Sequence, residues 1–179
     1  GLRYVWIDTC CIDKTNSVEL QEAIHSMFIL YERSTICYAY LFDYAVGGRA
    51  PDVEAFKASK WFTRGWTLQE LIAPVKVLFY SREWVSIGSK TELGNLISSI
   101  TRFSTELLAG QDLEHSSVAQ RISSASMRTT TRAEDIAYCL LGIFNVTMPM
   151  MYGEGGVEAF LRLQKAIMEQ SDDHTLFAW

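Results

Sequence analysis

At 179 residues, with 49% hydrophobic and 12% aromatic content, the chain is long enough for one domain with a continuous core, which excludes an intrinsically disordered segment. A net charge of −5 and a pI near 5.2 give no basic footprint, so nucleic acid is excluded as the expected partner. No apolar run approaches the roughly 20 residues that a membrane helix needs.

The opening Arg3–Asp8 (RYVWID) is too continuously apolar for a half-exposed edge and predicts a buried strand. The chain is inside this strand almost from Gly1-Leu2, which suggests a piece of a longer protein. Asp8–Lys14 then reads as a loop at the carboxyl end of that strand, where ligands of open α/β sheets bind. Asp8 and Asp13 can there meet a ribose or a metal, or simply cap turns. Asn16 with Glu19 makes a capping-box-like helix start. Leu20, Ile24, Met27, Phe28 and Tyr31 form one helical stripe, with His25 beside it as a partly buried structural histidine. Ile36–Phe42 (ICYAYLF) predicts a second buried strand, completing a βαβ unit with a parallel sheet.

Gly47-Gly48 and Pro51 mark a loop, with a helical turn near Val53–Ala58. Trp61–Pro74 (WFTRGWTLQELIAP) follows as a helix, and Val75–Tyr80 as a strand. On that helix Leu68, Leu71 and Ile72 share a face, while Trp66 and Glu70, four apart, lie roughly opposite Leu68. Two readings stand side by side. One is an amphipathic helix with a solvent-facing Glu; the other is a carboxyl against an indole wall, where exclusion of water raises its pKa.

Beyond Ser81 the pattern turns helical. A short strand is expected at Trp84–Ile87, then helices over Lys90–Thr101 and Ser117–Met127, the latter with Val118 and Ile122 inward. Thr131 and Glu134 make a capping box before the strongest stripe, Ile136, Ala137, Leu140, Leu141 and Phe144, with Gly142 marking close backbone approach. Asn145–Gly156 is a loop. Val157, Phe160, Leu161, Gln164, Ile167 and Met168 define a last helix, with Asp172-Asp173-His174 as its solvated end. Leu176–Trp179 is apolar and packs back on the body. No pair among Cys10, Cys11, Cys37 and Cys139 has C-x-x-C spacing, so a zinc site is not indicated. Cys11, Cys37 and Cys139 lie in apolar runs as reduced, buried thiols, which points to a cytoplasmic, reducing compartment.

Several stretches resemble the fungal heterokaryon-incompatibility (HET) domain: Tyr4–Lys14, Trp61–Pro74, Ser117–Arg121, Thr130–Phe144, Met148–Gln164 and the terminal SDDHTLFAW. Ser124 stands where the family usually has Trp, and Asn145 where Asp is common. The resemblance implies one HET domain over residues 1–179, an α/β part to residue 80 and a helical part after it, lacking the family's opening strand. HET domains are distantly similar to Toll/interleukin-receptor (TIR) domains, which implies a flavodoxin-like parallel sheet flanked by helices. In TIR domains a Trp-Cys-x-x-Glu-Leu helix carries the catalytic Glu of the NAD-cleaving members. Trp66-Thr67-Leu68-Gln69-Glu70-Leu71 resembles it with the spacing one residue longer.

The resemblance therefore implies a cell-death effector of non-self recognition. Glu70 is its candidate catalytic carboxylate, Trp66 a stacking wall, Arg64 a phosphate ligand or ion-pair member, and Asp8 a ribose contact. NAD+ would be the substrate, with no cofactor or metal required. The alternative is a non-enzymatic module that acts by self-association or by recruiting other domains of a larger protein, such as a nucleotide-binding receptor.

Overall fold

The computed structural model describes residues 2–47 and 52–178. Its opening stretch, residues 2–7, belongs to no helix or strand. A strand exists by its neighbour's ladder, and none of the described strands takes up residues 2–7. Tyr4 is 92% and Val5 74% exposed; Trp6 packs inward, edge-on to Tyr31 at 5.5 Å. The expected first βαβ unit is thus missing its first strand. Nor is Asp8–Lys14 simply a loop: Asp8–Cys11 closes into helix α1 as the Cys10 and Cys11 N–H groups donate to the Ile7 carbonyl. Cys11 consequently faces solvent instead of an apolar interior.

Helix α2 (Ser17–Glu32) starts where Asn16 accepts the Val18 and Glu19 N–H groups at 3.1 and 3.3 Å. Glu19 does not complete the box; its carboxylate takes the Asp13 N–H at 2.9 Å. Ile24 and Met27 are buried, and Leu20, Phe28 and Tyr31 pack beside them as the stripe predicts. His25 Nε2 lies 3.2 Å from the Met148 carbonyl oxygen, a structural role.

Strand β1 (Cys37–Tyr40) leads through residues 48–51, where the expected Gly-Pro loop lies outside the described residues, to helix α3 (Val53–Lys57), capped by Asp52. The helix expected over Trp61–Pro74 is broken: a 3-10 turn at Lys60–Thr63 precedes α4 (Thr67–Ile72). Arg64 is extended and bridges to Thr129, and Gly65 N–H donates 2.9 Å to the Thr129 carbonyl. A Cβ at Gly65 would stand 2.5 Å from the Thr130 methyl group, so only glycine permits the approach. This tertiary bridge overrides the local helical preference. Lys90, 2% exposed, closes α4 by donating to the Leu71 and Pro74 carbonyls at 3.2 and 2.6 Å.

Strand β2 (Val77–Tyr80) runs parallel to β1, Cys37 opposite Val77 and Tyr40 opposite Tyr80, which is the second expected βαβ unit. Strand β3 (Ser86–Ser89) is antiparallel to β2. The result is a mixed sheet of three strands in the order β1-β2-β3, smaller than the parallel sheet anticipated. Its inner face buries Cys37, Ala39, Val77 and Phe79, with Phe56, Trp61 and Phe62 around Phe79 at ring distances of 5.3–6.2 Å.

The second half is helical. α5 (Gly94–Thr101), α6 (Thr105–Leu108) and α7 (Val118–Ala125) come first, α7 with a full Ser117–Gln120 capping box and with Val118 and Ile122 buried. The stripe expected as one helix is two, α8 (Asp135–Tyr138) and α9 (Leu141–Phe144), still buried at Ala137, Leu140, Leu141 and Phe144. Glu134 forms no box with Thr131; its carboxylate accepts the Gly153 and Gly155 N–H groups at 2.8 and 3.1 Å. At Gly142 a Cβ would fall 2.2 Å from Phe28 Cβ, the close approach that the sequence suggests. Helix α10 (Gly156–Gln170) packs on α8 through Ala159, Leu163 and Ile167, leaving the expected Val157, Leu161 and Met168 exposed. Asp173 is no solvated end: its carboxylate accepts the Val118 N–H at 2.7 Å and the Thr175 N–H at 2.9 Å. Leu176 packs inward, while Trp179 lies outside the described residues.

Truncating Leu140, 1% exposed, to Ala should cost about 2–5 kcal/mol by opening a cavity, read as a lower urea midpoint at unchanged slope. An unaltered midpoint would place this side chain outside the core. The cysteines divide differently from expectation: Cys10 and Cys11 are exposed, Cys37 and Cys139 buried, and all are free. Thiol labelling should therefore modify Cys10 and Cys11 in the native state and reach Cys37 and Cys139 only after denaturation.

Candidate active site

Helix α4 fixes the orientation of the site, because Leu68 and Leu71 are fully buried and turn Glu70 to the opposite side. Glu70 is half-buried there, with Tyr31, from the end of α2, and Trp61, from the 3-10 turn, near its carboxyl. Asp8 at the start of α1 lies within electrostatic reach. Burial pushes the Glu70 carboxyl above its ordinary range, and the Asp8 charge adds to this; Tyr31, Trp61 and the Arg64 guanidinium pull it back. Burial, then the Glu70 charge, raises the Tyr31 hydroxyl. Cys37 is pushed up to about 12 by burial, with Glu70 contributing, while buried Lys90 is lowered to about 8.

Of the residues singled out from sequence, Glu70, Asp8 and Arg64 thus converge. Trp66 points elsewhere: its Nε1 donates to Asp135 Oδ2 at 3.2 Å, and the indole on Glu70 is Trp61. Sequence reasoning missed Tyr31 and Trp61. Tyr31 was legible only as the last member of the α2 stripe, and Trp61 only through the break at Arg64–Gly65 that folds it back. Asp13 is spent locally, accepting the Thr15 N–H and hydroxyl at 2.9 and 2.7 Å.

The influence of Glu70 on Cys37, the first residue of β1, puts the cluster near the amino ends of the parallel pair. The loops at the carboxyl ends, where ligands of open α/β sheets bind, lie at the other end. A separate cleft of about 900 Å³, lined by Phe28, Ile72, Arg121, Phe144 and Asp173 among others, contains neither Glu70 nor Asp8. Among the described residues no group of three His, Cys, Asp or Glu is arranged to hold a metal ion.

A second polar cluster was invisible to spacing arguments. Asp135 accepts from Trp66 and from the Tyr152 hydroxyl at 2.9 Å, and the Arg132 guanidinium sits 4.1 Å over the Tyr152 ring. The Tyr138 hydroxyl donates to Glu154 at 2.7 Å and accepts the Met151 N–H at 2.8 Å, while Arg162 pairs with Glu154 at 2.6 Å. Every one of these side chains is engaged within the protein, so this cluster holds the 148–156 loop.

Fold and site together define a small mixed α/β domain with a half-buried carboxylate on a short helix. The family described as heterokaryon incompatibility protein (HET) matches residues 1–52. The chain is 49% identical over 172 residues to the vegetative incompatibility protein HET-E-1 of Podospora anserina, covering 93% of this chain and 13% of that protein. The chain carries a heterokaryon incompatibility (HET) domain. It spans a small part of its relative's length, and no solved structure matches it.

The raised Glu70 carboxyl sets a pH test. Its folded-state value lies above the unfolded 4.5, so its contribution is fully favourable below 4.5 and is lost as pH rises through the folded value. Gln stays neutral throughout. Glu70→Gln should therefore gain stability relative to wild type as pH rises above 4.5, measured by urea midpoints. A pH-independent difference would show that Glu70 ionises as freely in the fold as outside it.

Proposed function

We propose that this domain acts in fungal heterokaryon incompatibility, in the cytoplasm and within a larger protein, as the effector that triggers cell death by TIR-like cleavage of NAD+ at Glu70. The observation that carries the reading is the half-buried Glu70 with Tyr31, Trp61, Asp8 and Arg64 around it. A carboxylate in so little water is worth more to a developing positive charge than one in bulk solvent.

The chemistry asks little else of the protein. The bond between nicotinamide and C1′ of the ribose breaks, its electron pair leaves with the ring, and the departing pyridine is neutral, so no general acid is needed. The sugar becomes oxocarbenium-like, as in glycoside hydrolysis. Water adds at C1′ and releases a proton, giving ADP-ribose and nicotinamide. Glu70 would stabilise the cationic sugar and hold ribose hydroxyls; Arg64 would hold a phosphate oxygen and Asp8 a hydroxyl. The Trp61 indole, rather than Trp66, would be the wall nearest the reacting carbon.

A second reading is assembly without chemistry, and a separate observation favours it. One face of the sheet leaves Tyr38, Trp84 and Phe42 about half-exposed or more, the kind of aromatic surface that marks contact sites.

Nicotinamide release and cell killing, measured together for wild type and Glu70→Gln, separate the two. Removing one electrostatic partner of this kind costs on the order of 10²–10³ in rate, so release and killing should both collapse in a folded variant. Killing that survives Glu70→Gln would overturn the enzymatic reading.

A further inference from the structure

The cleft of about 900 Å³ is walled by residues from Phe28 to Asp173, which come from α2, the end of α4, the 107–118 stretch, α9 and α10. Ligand sites commonly measure roughly 300–1,000 Å³ and set a few placed polar groups in apolar surroundings. Here the buried Phe144 and the half-buried Phe28 and Ile72 supply apolar surface, and the exposed Ile29 and Val75 extend it.

Arg121 is the single Lys or Arg among the described residues of the lining, and it is fixed but underused. Its Nη1 donates to the Ile143 carbonyl at 3.2 Å, and its Cζ lies 4.8 Å from the centre of the Phe144 ring. Nε is buried without an acceptor, and among the described residues none meets Nη2. Burial works against the charge; Asp173, Glu114 and Asp112 support it through space. The Asp173 carboxylate is already engaged by the Val118 and Thr175 N–H groups. A guanidinium held in this way by a carbonyl and a ring is a ready partner for a carboxylate.

A small inorganic anion does not suit the rest of the lining. Glu32, Asp112 and Glu114 are exposed on its walls, whereas Arg121 is half-buried. The charges are thus ordered by depth, one cation inside and acids outside. A matching ligand leads with a carboxylate, follows with an apolar group and trails a cation. We propose that the cleft binds the free C-terminus of a peptide. Its α-carboxylate meets Arg121, its apolar last side chain lies against Phe28, Ile72 and Phe144, and a basic residue a few positions earlier faces Glu32 and Glu114. A free amino acid would carry the same two charges but leave most of the volume unfilled. The site stands apart from Glu70 and does not depend on cleavage of NAD+.

The test uses the full-length protein, so that any segment before or after these residues competes for the cleft. Fluorescence anisotropy with N-terminally labelled Lys-Lys-Ser-Ser-Leu and Lys-Lys-Ser-Ser-Phe should show saturable binding. The C-terminal amides should bind at least about tenfold more weakly, because a charge-assisted contact is lost. Glu-Glu-Ser-Ser-Leu should also bind more weakly than its lysine counterpart, and inorganic phosphate should not displace the peptides. Arg121→Gln should erase the difference between acid and amide. Glu32→Lys with Glu114→Lys, both at exposed positions away from the core, should reverse the preference for lysine over glutamate, and this pair reads the site even where Arg121→Gln fails to fold. The proposal is overturned by a wild type without saturable binding, by equal binding of acid and amide, or by a lysine preference that survives the paired substitution. Displacement by phosphate would likewise overturn it and leave a plain anion site.

Discussion

The domain depends on how residues 63–69 are tied to residues 128–139. Thr129 N–H donates to the Thr63 carbonyl at 2.7 Å and Gly65 N–H to the Thr129 carbonyl at 2.9 Å, a two-bond bridge. Arg128 then reaches across to the Arg64 carbonyl and the Thr67 hydroxyl at 2.7 and 2.9 Å. Gln69 Nε2 donates to the Cys139 carbonyl at 2.8 Å, and Trp66 to Asp135. Bonds to charged groups are worth about 1.5–3 kcal/mol each, and a buried partner left alone costs at least as much. Arg128 is the extreme case: it is buried, faces carbonyl and hydroxyl oxygens, and burial holds its guanidinium down to about 10. Such a charge stays in place only because several acceptors are fixed around it.

That tie explains why motifs of the family resemblance occur where they do. Asp135 and Glu134 hold, respectively, Tyr152 and the N–H groups of Gly153 and Gly155, so the 148–156 loop is fixed to the same stretch that fixes α4. The lone pairs of these acidic residues are taken by donors of the fold. Glu70 differs in kind. Its neighbours Tyr31 and Trp61 do not carry the formal positive charge that would balance it, and Arg64 acts on it from an exposed position.

How much of this was legible follows from the range of each interaction. The α2 stripe, its Asn16 cap, the β1–β2 crossover and the tight contact at Gly142 rest on local spacing and apolar pattern, and sequence carries them well. Two helices were read too long where backbone groups meet distant segments, which periodicity cannot register: the Gly65 N–H donates to Thr129, and the Cys139 carbonyl accepts from the Gln69 side chain at the break between α8 and α9. The α10 face was misplaced because hydrophobicity alone ranks Val157 and Leu161 above Ala159, whereas close packing on α8 selects the small side chain. At the site, Glu70, Asp8 and Arg64 were readable as charges near a helix start. Tyr31 and Trp61 were not, since each reaches Glu70 only through tertiary folding.

The raised Glu70 carboxyl has a mechanistic corollary. A protonated Glu70 cannot stabilise an oxocarbenium ion, and Asp8 and burial both favour the proton. A bound ligand that carries a fixed positive charge changes this balance, because an opposite charge within ~4–6 Å lowers a carboxyl pKa by about 1–3 units. The pyridinium of NAD+ is such a charge, whereas its reduced form is neutral there. On the proposed reading, binding of the oxidised form would ionise the group that cleavage needs, and the site would favour the oxidised over the reduced form. On the same reading the linkage runs in reverse: ionised Glu70 would bind the cation more tightly, so affinity would rise with pH through the same titration that lowers the stability of the empty fold.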